Sequence, residues 1–247
     1  MPNFRADHVA VGVRARIAGG LYLGYILVTV LGDVVGHIGM GSPEQVWHTI
    51  TSSPGMFRLG LVLAYTSALL FLMTAWALFW LLHHRDQTLA LLFLLLNTVG
   101  VAVQCASMLP LINALALSEN GLVAGSAGQG EALALAAIAT YKTGFVTAQL
   151  FFATWLFPLA YLVYTSRFLP RFLGVLLALD GLAVLIWFSQ ALLLPDYPAI
   201  RYPGLVVSFL AEVGLAFWLL IKGAGPVNAI EPATTPPPTE EIITDAS

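Results

Sequence analysis

Six long apolar runs, separated by short polar segments, fill most of the chain between residues 17 and 222. A helix needs about 20 apolar residues to cross the hydrocarbon core of a bilayer, and each run approaches or exceeds that length. The runs cover residues 17–38, 56–82, 89–117, 144–164, 172–194 and 205–221. Only 9% of the residues are charged, against about 25% in an average soluble domain, which excludes a water-soluble fold. The sequence therefore predicts an all-α fold, a polytopic membrane bundle of six transmembrane helices.

The residues outside these runs divide the chain into three parts. Residues 1–16 are expected to form a cytoplasmic N-terminal segment and residues 17–222 the six-helix transmembrane domain. Residues 223–247 contain four acidic residues, five prolines and no Lys or Arg, which is typical of a disordered tail, here acidic, Pro-rich and cytoplasmic. Residues 131–143 are rich in Ala and Leu and leave two alternatives open, a short interfacial helix or an early extension of the fourth span.

The distribution of Lys and Arg predicts the orientation of the bundle. With six helices, seven of the ten basic residues fall on the side of the two termini and three on the other side. The first set is Arg5, Arg14, Arg16, Arg85, Arg167, Arg171 and Lys222, and the second is Arg58, Lys142 and Arg201. Because cytoplasmic loops carry the excess of positive charge, we expect both termini in the cytoplasm.

Charge and cysteine content exclude several classes of function. Four of the 13 acidic residues lie in the tail, so the remaining chain is nearly neutral, and it has no run of Lys or Arg. We therefore expect no nucleic-acid partner. Cys105 is the single cysteine, which excludes an intrachain disulfide and a cysteine-based metal centre. The sequence has no G-x-S-x-G elbow, P-loop, H-E-x-x-H motif or Rossmann glycine fingerprint, and we expect no cofactor.

Polar residues near the far end of the first helix form one candidate site. Asp33 and His37 are four residues apart and share a helix face, so they are candidates for a catalytic or proton-relay pair in which the carboxylate orients the imidazole. With Glu44 and His48 they also make a weak candidate set of metal ligands, and a packing role is the simpler alternative. Arg58 begins the second span on the same side. We expect it to pair with Asp33, or else to bind an anion or a lipid headgroup.

Amides inside the third and fourth spans are further candidates for ligand binding. Asn97 and Gln104 share one face of the third helix, and Gln149 lies in the fourth. Side-chain amides between membrane helices also serve as interhelical hydrogen-bonding groups worth about 0.6 kcal/mol on average. Both interpretations remain open from the sequence.

Asp180 and Glu212 are the most deeply placed carboxyl groups of the predicted bundle. Neither helix offers a basic residue at the same depth, and burial without a cation keeps a carboxyl group protonated. A buried neutral acid suits a general acid or a proton carrier, which makes both residues catalytic candidates. The alternative is a neutral acid that donates one hydrogen bond to a neighbouring helix.

Four segments together resemble a known family. They are Arg16-Ile17-Ala18-Gly19-Gly20-Leu21-Tyr22, Arg58-Leu59-Gly60, the turn Ser166-Arg167-Phe168-Leu169-Pro170-Arg171-Phe172-Leu173-Gly174, and Glu212 followed by Trp218-Leu219-Leu220-Ile221-Lys222-Gly223. Over about residues 14–223 the chain resembles the bacterial membrane family known as domain of unknown function 4386. The resemblance implies a six-helix integral membrane protein with no assigned activity. It directs attention to Arg58, Arg167, Pro170 and Glu212.

Three functions are compatible with these observations. The leading hypothesis is a membrane protein that binds a small apolar or lipid-like molecule in a partly polar bundle interior. The second is a membrane-embedded enzyme that acts on an apolar substrate, with Asp180 or Glu212 as general acid. The third is an accessory subunit, with a membrane complex as its partner. The expected surroundings are the lipid bilayer of the inner (plasma) membrane of a bacterial cell.

Overall fold

The computed structural model describes residues 4–39, 41–119, 127–166 and 169–223, with side chains from Val11 onward. The described chain is helical. Its helices are α1 (Phe4–Gly36), α2 (Pro43–Ser52), α3 (Pro54–Leu82), α4 (Gln87–Ser107), α5 (Leu109–Glu119), α6 (Ala127–Thr165), α7 (Arg171–Leu193) and α8 (Tyr202–Ile221), with a 3₁₀ turn at Pro198–Arg201 before α8. The predicted disordered tail and Arg167 lie outside the described residues.

Six segments of the described chain are long and apolar enough to cross a membrane. They are Val11–Gly36, Pro54–Leu82, Gln87–Glu119, Gly128–Thr165, Arg171–Leu193 and Pro198–Ile221. The protein is therefore an all-α, multi-pass membrane protein with six spans, as the apolar runs predict. The cytoplasmic location of the termini stays a prediction.

Two helices differ from the predicted runs, and the structure decides between the two alternatives for a third. α1 begins at Phe4, so most of the predicted N-terminal segment continues directly into the first span. The third span breaks at Met108 into α4 and α5, because the ring of Pro110 removes one backbone donor and blocks the carbonyl of the preceding turn. α6 runs unbroken from Ala127 to Thr165, so residues 131–143 are an extension of the fourth span rather than a separate helix.

The six spans form a closed ring. α1 packs against α3 and α8, α7 packs against α8 and α6, and α4 packs against α6 and α3. This order brings the first and last spans into contact. Aromatic side chains fill the centre of the ring: Phe71 stacks on Tyr25 at 4.3 Å between ring centroids and meets Trp155 edge-on at 5.1 Å.

Two helix crossings depend on glycine. A Cβ atom at Gly60 would lie 2.6 Å from the Cα of Gly36, and a Cβ atom at Gly19 would lie 2.5 Å from the backbone nitrogen of Leu220. Real atoms do not approach so closely, so α1 meets α3 and α8 backbone to backbone.

The end of the bundle opposite the N-terminus, which we call the distal end, has its own small core. α2 lies across this end and contacts α3, α5 and α6. Val46 and Ile50 of α2 are buried there with Phe57, Leu111 and other apolar side chains. α2 lies between the first two apolar runs and is not one of the predicted spans.

A capping box identifies the start of α2. The Ser42 hydroxyl accepts from the Gln45 backbone N–H, and the Gln45 side chain accepts from the Ser42 N–H. A serine followed three residues later by glutamine is a known signal for a helix start. The start of this helix could therefore have been predicted from the sequence.

Candidate functional site

The ammonium group of Lys142 on α6 holds the turn between α1 and α2. Its Nζ atom donates hydrogen bonds to the carbonyl oxygens of Ile38 (3.1 Å), Gly39 (2.8 Å) and Gly41 (2.6 Å). An ammonium group has three protons, so these three bonds use its whole donor capacity. The Asp33 carboxylate also holds this turn, because its Oδ1 accepts from the Gly39 N–H at 2.6 Å.

A pocket of about 590 Å³, which we call the distal pocket, opens beside this turn. Its walls come from the start of α2, from α6, from α7 and from the turn that leads into α8. α6 contributes Lys142, Phe145 and Val146, and α7 contributes Trp187, Gln190 and Ala191. Each set has the spacing i, i+3, i+4, which places its members on one helix face. The volume lies in the range of about 300–1,000 Å³ that is typical of small-molecule sites.

Two cationic side chains line the pocket. Arg201 ends the 3₁₀ turn before α8, and its guanidinium lies 5.6 Å from the Tyr202 ring centroid. Its Nε atom is buried and has no hydrogen-bond partner in the part of the chain that the structure describes. Lys142 lies within electrostatic range of Arg201. The Asp33 carboxylate acts on Lys142 more strongly than Arg201 does, so Arg201 is the pocket cation to which an anion would contribute most.

The remaining pocket surface is mostly apolar. Trp187 and Phe145 face each other with ring centroids 6.1 Å apart, and Val146 and Leu205 extend the apolar wall. Gln190 donates its amide to the Leu194 carbonyl at 2.9 Å, which fixes the end of α7. The pocket thus combines a cationic pole with an aromatic and aliphatic wall.

A second polar cluster lies at mid-span, between α1, α7 and α8. Asp180 is fully buried, and its Oδ1 accepts from the Ser208 hydroxyl at 2.5 Å. Glu212 lies one turn after Ser208 on α8, within electrostatic range of Asp180. The structure therefore brings the two predicted carboxyl candidates together, although they come from different helices. Neither of them is among the residues that line the distal pocket.

The candidate metal ligands predicted near the end of α1 do not lie together in the structure. Within the described residues, no group of three or more His, Cys, Asp or Glu side chains is placed to hold a metal ion. Asp33 binds the turn, whereas His37 is exposed and its Nδ1 lies 3.5 Å from the Thr49 hydroxyl. Glu44 and His48 are exposed on α2. Hydrogen bonds from the backbone and from Ser42 lower the pKa of the Glu44 carboxyl, as expected for an acid in the first turn of a helix.

Arg58 forms its salt bridge with Glu119 at the end of α5, so the expected pair with Asp33 was wrong. The two side chains are 57% and 40% exposed, and exposed pairs contribute about 0–1 kcal/mol. The pairing was missed because Glu119 lies 61 residues further along the chain. The bridge fastens α5 to α3 at the distal end.

The predicted amides occupy separate places. Asn97 is fully buried on α4, and both of its side-chain polar atoms lack partners among the described residues. Gln104 is half-buried. Gln149 is buried and its amide donates to the Phe145 carbonyl of its own helix at 3.4 Å. None of the three lines the distal pocket.

The residues that form the pocket were missed as site residues from the sequence. Lys142 and Arg201 contribute to the predicted orientation only as basic residues, and no sequence pattern marked Gln190 as a candidate. The matching i, i+3, i+4 sets on α6 and α7 are the one signal that could have indicated a shared polar face. Nothing in the sequence showed that the two sets face each other.

Comparisons with known proteins give a family and one relative. The family model described as "Domain of unknown function (DUF4386)" matches residues 17–223. An uncharacterized protein from Archaeoglobus fulgidus is 35% identical over 79 residues, which are 30% of this chain and 43% of that protein. The matched region thus spans less than half of that relative. No solved structure matches the chain.

Proposed function

This chain belongs to the family described as "Domain of unknown function (DUF4386)", and we propose that it binds a lipid-like molecule with an anionic head in the distal pocket. The observation that carries this proposal is the buried Arg201 Nε, which has no hydrogen-bond partner among the described residues although Arg201 lines a pocket of about 590 Å³. A buried donor without a partner costs about 1–3 kcal/mol. A ligand oxygen at this atom would remove that cost.

The charges of the pocket favour an anionic head. Arg201 offers a planar fork of donors that matches a carboxylate or a phosphate. Lys142 has no free proton to donate because its three bonds go to backbone carbonyls. Its charge nevertheless contributes to the local potential. Arg201 is therefore the residue that binds the head directly, and Lys142 supports it from a distance.

The walls of the pocket favour a ligand with an apolar body. Trp187, Phe145, Val146 and Leu205 provide aromatic and aliphatic surface next to the cationic pole. For a ligand that arrives from water, burial of apolar surface contributes about 25 cal/mol per Å². An amphiphile satisfies both parts of the pocket, whereas a small inorganic anion would leave the aromatic wall unused.

The binding site lies at the distal end rather than in the bundle interior. The centre of the ring is occupied by Phe71, Tyr25 and Trp155, which supports a location outside it. With both termini in the cytoplasm of a bacterial cell, the pocket opens at the outer face of the inner membrane. The protein would then take its ligand from the outer leaflet or from the external phase.

Binding of two lipids that share one acyl chain tests the proposal. We expect the purified protein in mild detergent to retain oleate in native mass spectrometry, and to retain monoolein, its uncharged counterpart, much less. Replacing Arg201 by glutamine removes the charge-assisted bond, so the apparent affinity for oleate should fall about 10- to 100-fold.

Arg85→Gln is the matched control, because Arg85 is exposed in the turn between α3 and α4. This variant should bind oleate like the unmodified protein. Equal retention of oleate and monoolein, or an unchanged affinity in Arg201→Gln, would contradict the proposal. A co-purifying partner subunit in place of a lipid would support the accessory-subunit hypothesis instead.

A further inference from the structure

Asp180 sits where a charge is most costly. It lies near the middle of α7, is fully buried, and has its two carboxyl oxygens in different environments. Oδ1 accepts the Ser208 hydroxyl at 2.5 Å, whereas Oδ2 is buried without a partner among the described residues. A charged side chain at the bilayer centre costs about 2.5–3.5 kcal/mol even on insertion scales. A proton on Oδ2 removes that charge.

Glu212 is the second acid of this site. Ser208 and Glu212 are four residues apart on α8 and therefore share the helix face that meets α7. Glu212 lies within electrostatic range of Asp180. It is half-buried, whereas Asp180 is fully buried. Two carboxylates close together in a medium of low dielectric constant do not both ionise.

Tyr22 of α1 is the third polar group of this site. Its side chain is fully buried, and its hydroxyl has no hydrogen-bond partner within the described residues. The hydroxyl lies within electrostatic range of both Glu212 and Asp180. A buried hydroxyl without a partner costs free energy, which a shared proton network would offset.

The surroundings of the two acids contain no compensating cation in the described chain. From α1 the titratable groups that face the site are Tyr22 and Tyr25, and from α8 it is Glu212. On the α6 side, the neighbour Gly181 packs against Ala153 and Phe157. No described basic side chain is among the groups that act on Asp180 or Glu212.

We infer that Asp180 and Glu212 form a proton-binding site in the middle of the membrane, which holds one exchangeable proton between them. The proton comes from water, and its uptake converts one carboxylate into a neutral acid. Glu212 is the less buried acid of the pair. Asp180 is the buried acceptor, positioned by the Ser208 hydroxyl. This site is distinct from the distal pocket and does not depend on the function proposed for that pocket.

Dicyclohexylcarbodiimide tests this inference, because it enters apolar environments and reacts with neutral carboxyl groups. The acid adds to the carbodiimide and rearranges to a stable N-acylurea, whose position tandem mass spectrometry identifies. We expect adducts on Asp180 or Glu212 near neutral pH. Above the midpoint of the titration, the yield should fall about tenfold per pH unit, as the protonated fraction does.

The variant D180N/E212Q should lose this labelling, while D196N should retain it. Asp196 lies in the exposed turn after α7 and serves as the matched acidic control. Circular dichroism and the melting temperature of each variant establish that it is folded. If D180N/E212Q does not fold, the pH dependence of the labelling yield in the unmodified protein tests the inference. Absence of label from both acids at every pH, or a yield independent of pH, would overturn the inference.

Discussion

Lys142→Met is expected to destabilise the folded bundle by about 3 kcal/mol, since hydrogen bonds to charged groups contribute about 1.5–3 kcal/mol each and the turn would regain part of its loss from water. The three carbonyls of Ile38, Gly39 and Gly41 would lose their common donor. Methionine keeps nearly the same length and apolar stem. The loss of stability therefore measures the contribution of the ammonium group rather than the effect of a cavity.

Thermal unfolding in detergent measures this loss through tryptophan fluorescence. For a chain of this size, about 3 kcal/mol corresponds to a decrease in Tm of about 6–12 °C. Lys222→Met is the control, because Lys222 is exposed at the end of α8 and makes no comparable set of bonds in the described structure. If both variants melted at the temperature of the unmodified protein, Lys142 would not hold the turn.

Substitutions of the two pocket cations should affect stability and lipid binding differently. Arg201 has no salt bridge among the described residues, and its buried Nε has no partner there, so Arg201→Gln should weaken lipid binding without lowering Tm. Lys142→Met should change both, since the turn that Lys142 holds also forms one wall of the pocket. This contrast distinguishes the residue that binds the ligand from the residue that shapes the site.

The spans were predictable from sequence because the bilayer imposes one strong condition. In hydrocarbon every backbone polar group needs an internal partner, so a long apolar run has to be helical. The same condition made Asp180 and Glu212 recognisable, since an acid in such a run must face protein rather than lipid. The break at Met108 and the helix α2 were encoded by local signals, Pro110 and the capping box at Ser42.

The pocket was not predictable because its parts are far apart in the chain. Lys142 binds carbonyls about a hundred residues earlier, and Arg201 reaches the same pocket from the turn before α8. Apolar periodicity gives the length of each helix but not the neighbour of each face. The ring order, in which α1 contacts α8, decides which side chains meet.

That contact between α1 and α8 makes Gly19→Ala the second change with a large expected effect. The new Cβ atom would lie 2.5 Å from the Leu220 nitrogen and 2.7 Å from the Ala216 carbonyl oxygen. Both are backbone atoms of a helix, so neither can rotate away and the two helices must separate. Overpacking of this kind costs about 1–3 kcal/mol.

Gly20→Ala makes the same chemical change one residue later and provides the control. Its Cβ atom would meet only the flexible end of Leu220 at 3.9 Å, while alanine favours a helix over glycine by about 1 kcal/mol. The two neighbouring substitutions should therefore shift Tm in opposite directions, downward for Gly19→Ala and slightly upward for Gly20→Ala. Equal shifts would mean that α1 and α8 are not in backbone contact, and that the ring of six spans is open between its first and last helices.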